Sequence, residues 1–213
     1  MFREMLKKAI HKSQHVQRNW DLSKSIPEED LEMIAEAITQ APSKQNVTFF
    51  KPYFITDREK IEAVHRETPG FYIEDGKQGA KAPNGNRLTT NPQVLANLLI
   101  VFAKDFDSED AKTKTDVSHV DHVMETDMHQ AIGVAAGYTN LTSALLGYST
   151  GCCSCCNKDE IQRILDIPHK PVLLMGVGIA DDSKPRREHH LMPHLTFPTK
   201  RKNISLKSLR LIY

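Results

Sequence analysis

Apolar residues recur along this chain at two spacings, and the changes between them mark out the elements. Phe2, Met5, Leu6, Ala9 and Ile10 return every three or four positions, which predicts a short amphipathic helix at the start. Leu31, Ile34, Ala35 and Ile38 share one face of a second helix. Its start reads Ser25-x-x-Glu28, the pattern of a capping box, and Pro27 suits a first turn. Pro42 ends it, because the residue before a proline avoids the α region. Pro52–Thr56, Ala96–Ala103 and Pro171–Ile179 predict strands. From Asp121 to Leu146 the apolar positions Met124, Met128, Ala131, Ile132, Ala135, Tyr138, Thr142 and Leu145 follow helical spacing, long enough for a central core helix. Asp159–Leu165 predicts a further short helix. Between the first two strands lies Pro69–Pro92, rich in Gly, Asn and Pro, a long loop of the kind that is often functional or mobile. Beyond Asp181 the chain turns polar and basic, then closes on an apolar-containing segment, Ile204–Tyr213. Helices and strands mix without regular alternation, which predicts an α+β class.

Composition narrows the function classes. A chain of 213 residues is long enough for one well-buried core, so a single domain over residues 1–213 is expected. Apolar residues at 39% and charged residues at 26% are ordinary for a soluble globular protein. A net charge of +1 argues against bulk nucleic-acid binding, which goes with a strongly basic face. Val94–Ala103 is the best apolar run; it contains Asn97 and is far too short to span a bilayer, so no membrane partner is expected. Arg3, Glu4, Lys7 and Lys8 interrupt the N-terminus, unlike a secretory signal. The expectation is a cytoplasmic protein with reduced thiols.

Two motifs flank the second helix. The first reads Gln14-His15-Val16-Gln17-Arg18-Asn19-Trp20-Asp21, the second Ala41-Pro42-Ser43-Lys44-Gln45-Asn46. This order resembles the N-terminal signature of the nitroreductase family of FMN-dependent oxidoreductases. There the pattern is Arg-[Arg/His]-Ser-x-[Arg/Lys]-x-[Phe/Tyr]-Asp, then a helix opened by Pro, then Pro-Ser-x-x-Asn. His15, Arg18, Trp20 and Asp21 fit. Gln14 stands where the family has Arg and Val16 where it has Ser, so one cation and one hydroxyl are missing. Later segments also look like the family. Asp127-Met128 through Leu146-Gly147-Tyr148 resembles its central helix, Glu160–Pro168 the helix before its last strand, and Val172–Ile179 that strand.

The resemblance implies a fold: a central, mostly antiparallel sheet flanked by helices, with a long central core helix. It also implies a homodimer with FMN at the subunit interface. Gln14, His15 and Arg18 would contact the ribityl–phosphate or pyrimidine side, while Pro42, Ser43 and Asn46 would lie near the substrate face. Asn84-x-x-Arg87 looks like the family's Asn-x-x-Lys at the pyrimidine edge, where a cation stabilises reduced flavin. Lys200, Arg201 and Lys202 occupy the place of a phosphate-binding Lys-x-Arg. Gly176-Val177-Gly178 follows a strand but opens no helix, so it is no dinucleotide fingerprint.

All four cysteines fall within Cys152-Cys153-Ser154-Cys155-Cys156, after the central helix. In the family this place carries backbone N–H groups past flavin N5, so Cys152, Cys153 and Ser154 are candidate cofactor contacts. Three readings stand: small side chains in a tight loop, a C-x-x-C dithiol beside the flavin, or a metal site. One short loop cannot easily wrap four thiolates round a metal, and the family needs none. His119-x-x-His122 and His189-His190-x-x-x-His194 lack a carboxylate at fixed spacing and read as solvated surface. No catalytic dyad is apparent.

The activity implied is hydride transfer from NADH or NADPH through flavin N5 to a small-molecule acceptor, a quinone or nitroaromatic, with ping-pong kinetics. Two alternatives remain open. One is another flavin reaction on the same fold, reductive dehalogenation or oxygen-dependent flavin breakdown. The other is a flavin-binding redox sensor that uses the cysteine-rich loop.

Overall fold

The computed structural model describes residues 2–69, 91–109, 111 and 121–188, with only the backbone of 73–74, 77–78 and 121–123. Helix α1 (Phe2–Ser13) leads through an extended segment to α2 (Glu28–Thr39). A 3-10 turn (Lys44–Asn46) precedes β1 (Phe50–Ile55) and α3 (Arg58–Arg66). A two-stranded hairpin, β2 (Ile73–Glu74) and β3 (Lys77–Gln78), is followed by a 3-10 turn (Pro92–Val94) and β4 (Leu98–Lys104). Then come α4 (Asp121–Leu145), β5 (Ser149–Cys153), α5 (Lys158–Leu165) and β6 (Pro171–Gly178).

The main sheet has the order β1-β4-β6-β5, and every neighbouring pair is antiparallel. Strand β4 is its centre. Leu98, Ile100 and Phe102 point to one face and Leu99 and Val101 to the other, all with no exposure. Burial of each such side chain contributes about 1.5–3 kcal/mol. On the first face lie α2 and α4, through Ile34, Ile38, Met128, Ile132 and Ala135. On the second lie α3 and α5, through Ile61, Val64, Ile161 and Leu165. The class is therefore α+β, a helix-flanked antiparallel sheet with one long helix, as the sequence predicts.

Three local readings need correction. No capping box forms: Pro27 is itself the N-cap of α2, no side chain caps that helix, and the Pro27 carbonyl accepts from the Asp30 and Leu31 amides, each at 3.1 Å. Helix α3 escaped the sequence reading although Asp57 accepts hydrogen bonds from the Glu59 and Lys60 amides at 2.9 and 3.2 Å, an N-cap signal. Cys152 and Cys153 belong to strand β5 rather than to a tight loop. With Thr150 as its one β-branched residue, β5 carries little strand signature, and its pairing to β6 decides its conformation. Among the described residues, no helix is long and apolar enough to cross a membrane.

Candidate functional site

The segment after α1 is tied to the sheet by its backbone. Val16 forms a parallel bridge with Thr150, and the Gln17 amide donates to the Thr150 carbonyl at 2.9 Å. Trp20 bridges Ala180, and the Asp21 amide donates to Ile179 O at 2.8 Å. Within this frame the Gln17 side chain turns back, and its Oε1 accepts from the Arg18 and Asn19 amides at 2.9 and 3.1 Å. Asn19 is fully buried, and its Nδ2 donates to the carbonyls of Pro185 and Glu188, both at 2.7 Å. That clamp brings in a residue the sequence reading missed. Arg186 lies over the segment, its Nη1 reaching Val16 O at 3.5 Å.

The result is a gathering of positive charge. Burial, and then the charge of Arg186, pull the Arg18 pKa below its ordinary value. Burial, Arg186 and His11, in that order, lower the pKa of His15. Gln14 beside them is exposed and adds no charge. Two half-buried guanidinium groups, Arg18 and Arg186, held together by the fold with the exposed His15 beside them, favour an anion among them.

Beside this cluster, β5 passes at close range. A Cβ on Gly151 would stand 2.4 Å from Gln93 Cβ and 3.0 Å from Gln17 O, so only glycine fits. Gly176 and Gly178 serve the same packing: added Cβ atoms would meet Gln93 O at 2.0 Å and Asn97 Oδ1 at 2.2 Å. The Gly-x-Gly of β6 is thus a seat for the Pro92–Asn97 segment. Cys152 packs toward the α2/α4 core, and Cys153 is buried in the α3/α5 core. The Cys153 thiol donates to Cys155 O at 3.4 Å, and all four thiols are free. Burial pushes Cys152 up to about 11 and Cys153 up to about 12. Ser154 and Cys155 are exposed.

The second motif forms the turn between α2 and β1. Pro42 is exposed and Ser43 half-buried. Gln45 and Asn46 both adopt the left-handed region, at φ 54° and 57°. The Asn46 amide donates to Ser43 O and the Val47 amide to Lys44 O, each at 3.1 Å. Lys44 Nζ pairs with Asp127 Oδ2 on α4 at 2.7 Å.

Helix α4 measures the distance between the two motifs. Lys44 is tied to Asp127, whereas Thr150 Oγ1 donates to Asn140 Oδ1 at 2.5 Å. Thirteen positions (140 less 127) separate these anchors, about 20 Å of helical rise. The structure brings His15, Arg18 and Arg186 together beside β5, and the two anchors along α4 set Pro42, Ser43 and Asn46 apart from them. Asn84, Arg87, Lys200, Arg201 and Lys202 lie outside the described residues, as do the side chains of His119, His122, His189, His190 and His194. A cavity of about 300 Å³, lined by Tyr53, Lys60 and Ile167 among others, lies between β1, α3 and α5 and includes no residue of either motif.

The family model "Nitroreductase family" matches residues 12–179. This chain belongs to the nitroreductase family. Solved structures agree on the fold. A nitroreductase family protein from Clostridium novyi NT is 20% identical, over 92% of this chain and 97% of that one, with a TM-score of 0.61. The nitroreductase family protein from Streptococcus pneumoniae TIGR4 is 16% identical over the whole of both chains, with a TM-score of 0.66. An FMN-dependent nitroreductase from Clostridium difficile R20291 is 16% identical, over 99% and 98%, with a TM-score of 0.60. No curated protein matches this chain. As a member of the nitroreductase family the protein is an oxidoreductase. Arg186 had a signal that could have found it: Lys184-Pro185-Arg186-Arg187 is a basic run just beyond the last strand of the nitroreductase sheet.

Proposed function

We propose that this protein is an FMN-dependent oxidoreductase that acts as a homodimer with each flavin at the subunit interface. The observation that carries the reading is the gathering of His15, Arg18 and Arg186 on a backbone frame fixed by Asn19 and Thr150. The FMN phosphate needs cations or N–H donors, and this cluster fits that need. Held by these residues, FMN would supply the redox chemistry by which NADH or NADPH gives hydride and a quinone or nitroaromatic takes the electrons, one substrate after the other. Arg18 and Arg186 would hold the anionic end, and Gly151 would let the flavin's neighbourhood stay narrow. Pro42, Ser43 and Asn46 would line the substrate side. Asn84, Arg87 and Lys200–Lys202 keep their proposed roles on the resemblance alone.

Two features support the dimer. The half-sites on one protomer are separated by about 20 Å along α4, too far for one flavin to bridge them comfortably. Val134, Tyr138 and Leu145 on α4, with Phe2, Met5 and Ile10 on α1, are large apolar side chains from 37% to 66% exposed, an unusual density for a lone protomer. The high thiol pKa values of Cys152 and Cys153 weigh against a thiolate relay.

The test is a visible spectrum and a light-scattering mass of the purified protein after addition of FMN. The expected result is a yellow dimer whose flavin is bleached rapidly by NADH or NADPH. A monomer, or a protein that leaves FMN fluorescence unquenched, overturns the proposal.

A further inference from the structure

We infer that Lys44 and Asp127 are a positioning pair that holds the Pro42–Asn46 turn in its flavin-facing shape. The inference rests on the flavin reading above and adds to it two residues that need touch neither flavin nor substrate. Four observations carry it. Gln45 and Asn46 follow one another in the left-handed region, which asparagine tolerates and glutamine does not favour. The turn's own backbone offers little to hold them there: two 3-10 type hydrogen bonds, from Asn46 to Ser43 and from Val47 to Lys44. Neither flanking residue caps the turn with its side chain. The Lys44 ammonium instead crosses to α4 and meets Asp127 at 2.7 Å.

The two ends of that contact differ in a useful way. The Asp127 side chain is 7% exposed and sits one residue from Met128, a fully buried member of the core. It is a fixed point. The Lys44 side chain is 44% exposed and belongs to the turn itself. A buried carboxylate needs partners, so pulling Lys44 away carries an energetic penalty that the solvated ammonium alone would not impose. The pair therefore transmits the rigidity of α4 into a turn whose preferred backbone lies elsewhere. Ser43 and Asn46, on either side of Lys44, inherit their direction from it.

The test uses the full-length protein and three variants. Lys44→Met removes the charge, Asp127→Asn keeps the shape of the buried partner, and Lys44→Arg keeps the ion pair. Amide hydrogen exchange without flavin is followed at Asn46 and Val47, with Val101 in β4 as the internal control. The expected result is exchange at Asn46 and Val47 faster by about tenfold or more in Lys44→Met and Asp127→Asn, with Val101 unchanged, and near wild type in Lys44→Arg. FMN titration should then show affinity about tenfold weaker in the first two variants, an absorption envelope moved toward free FMN, and recovery in Lys44→Arg. Unchanged exchange at Asn46 and Val47 overturns the clamp. Faster exchange with unchanged flavin affinity and spectrum overturns its positioning role. A wild-type protein that binds no FMN defeats the functional reading instead, and the exchange measurement still decides whether the pair holds the turn.

Discussion

The two motifs that flank α2 solve opposite electrostatic problems at opposite ends of α4. Around Arg18 the fold gathers charge of one sign: Arg186 stands near both Arg18 and His15, and burial depresses the pKa values of both. Around Lys44 it cancels charge, pairing the ammonium with a buried carboxylate at 2.7 Å. The first region therefore favours an anion, while the second pairs its charge and offers shape. In a flavin enzyme these are the two things required of a protein: a socket for the phosphate and a fixed wall beside the reacting ring.

The sharpest way to break this contrast is to remove charge from the socket. Arg18→Ala should weaken FMN binding by about 1.5–3 kcal/mol, the scale of a charge-assisted hydrogen bond. Relieving like-charge crowding should leave the melting temperature of the apo-protein level or slightly raised. Isothermal titration together with a thermal melt reads both, and wild-type affinity in the variant would return Arg18 to the solvated surface.

Acidification should pull the two properties in opposite directions. In the folded apo-protein the His15 pKa is lowered, so below its unfolded value the unfolded chain binds the proton more readily. Stability from this group is thus full above about pH 6.5 and is lost as pH falls from there toward the depressed folded value. A bound anion favours protonated His15, so anion affinity should rise over the same interval. Thermal melts across pH 5–8, with and without sulfate as the anion, measure both slopes. If sulfate protects no better at low pH, or if His15→Asn leaves the slopes unchanged, His15 is not part of the socket.

The smallest effect concerns the thiols between the two regions. Cys155 is exposed, whereas burial raises the pKa values of Cys152, Cys153 and Cys156. Iodoacetamide at neutral pH should label Cys155 first, by about tenfold or more, with FMN binding undisturbed. Peptide mass spectrometry gives the order, and faster labelling of Cys152 would place a reactive thiolate on β5 and revive the dithiol reading.

How far the sequence could be read depended on whether a residue's neighbours were local. Strand β4, α4 and the amphipathic face of α2 were legible because their partners follow a simple period. The class and family were legible because several loose motifs occur in one order. Strand β5 was not, since Thr150 is the one β-branched residue in Ser-Thr-Gly-Cys-Cys, and the pairing with β6 decides its conformation. The Gly-x-Gly of β6 opens no helix, but its purpose needed the approach of Gln93 and Asn97 from 83 and 81 residues earlier, a separation visible only in the fold. In the site, His15 and Arg18 were named by resemblance, and each lies within electrostatic reach of Arg186. Arg186 was missed because a basic run in a polar tail looks solvated until Asn19 is seen to clamp its backbone.

Trp20 is the chain's one tryptophan, 2% exposed, and its indole N–H donates to Pro92 O at 2.8 Å. It is two residues from Arg18 and rests against Gly178, where its Cε3 would stand 3.1 Å from an added Cβ. All intrinsic tryptophan emission therefore comes from the junction of the N-terminal segment, the Pro92–Asn97 turn and the end of β6. A dry, hydrogen-bonded indole emits toward the blue, and loosening of this junction would shift that emission to the red before the rest of the sheet unfolds. A flavin seated nearby would accept the excitation energy, so occupancy of the socket and integrity of its frame are written in one optical signal without any added label.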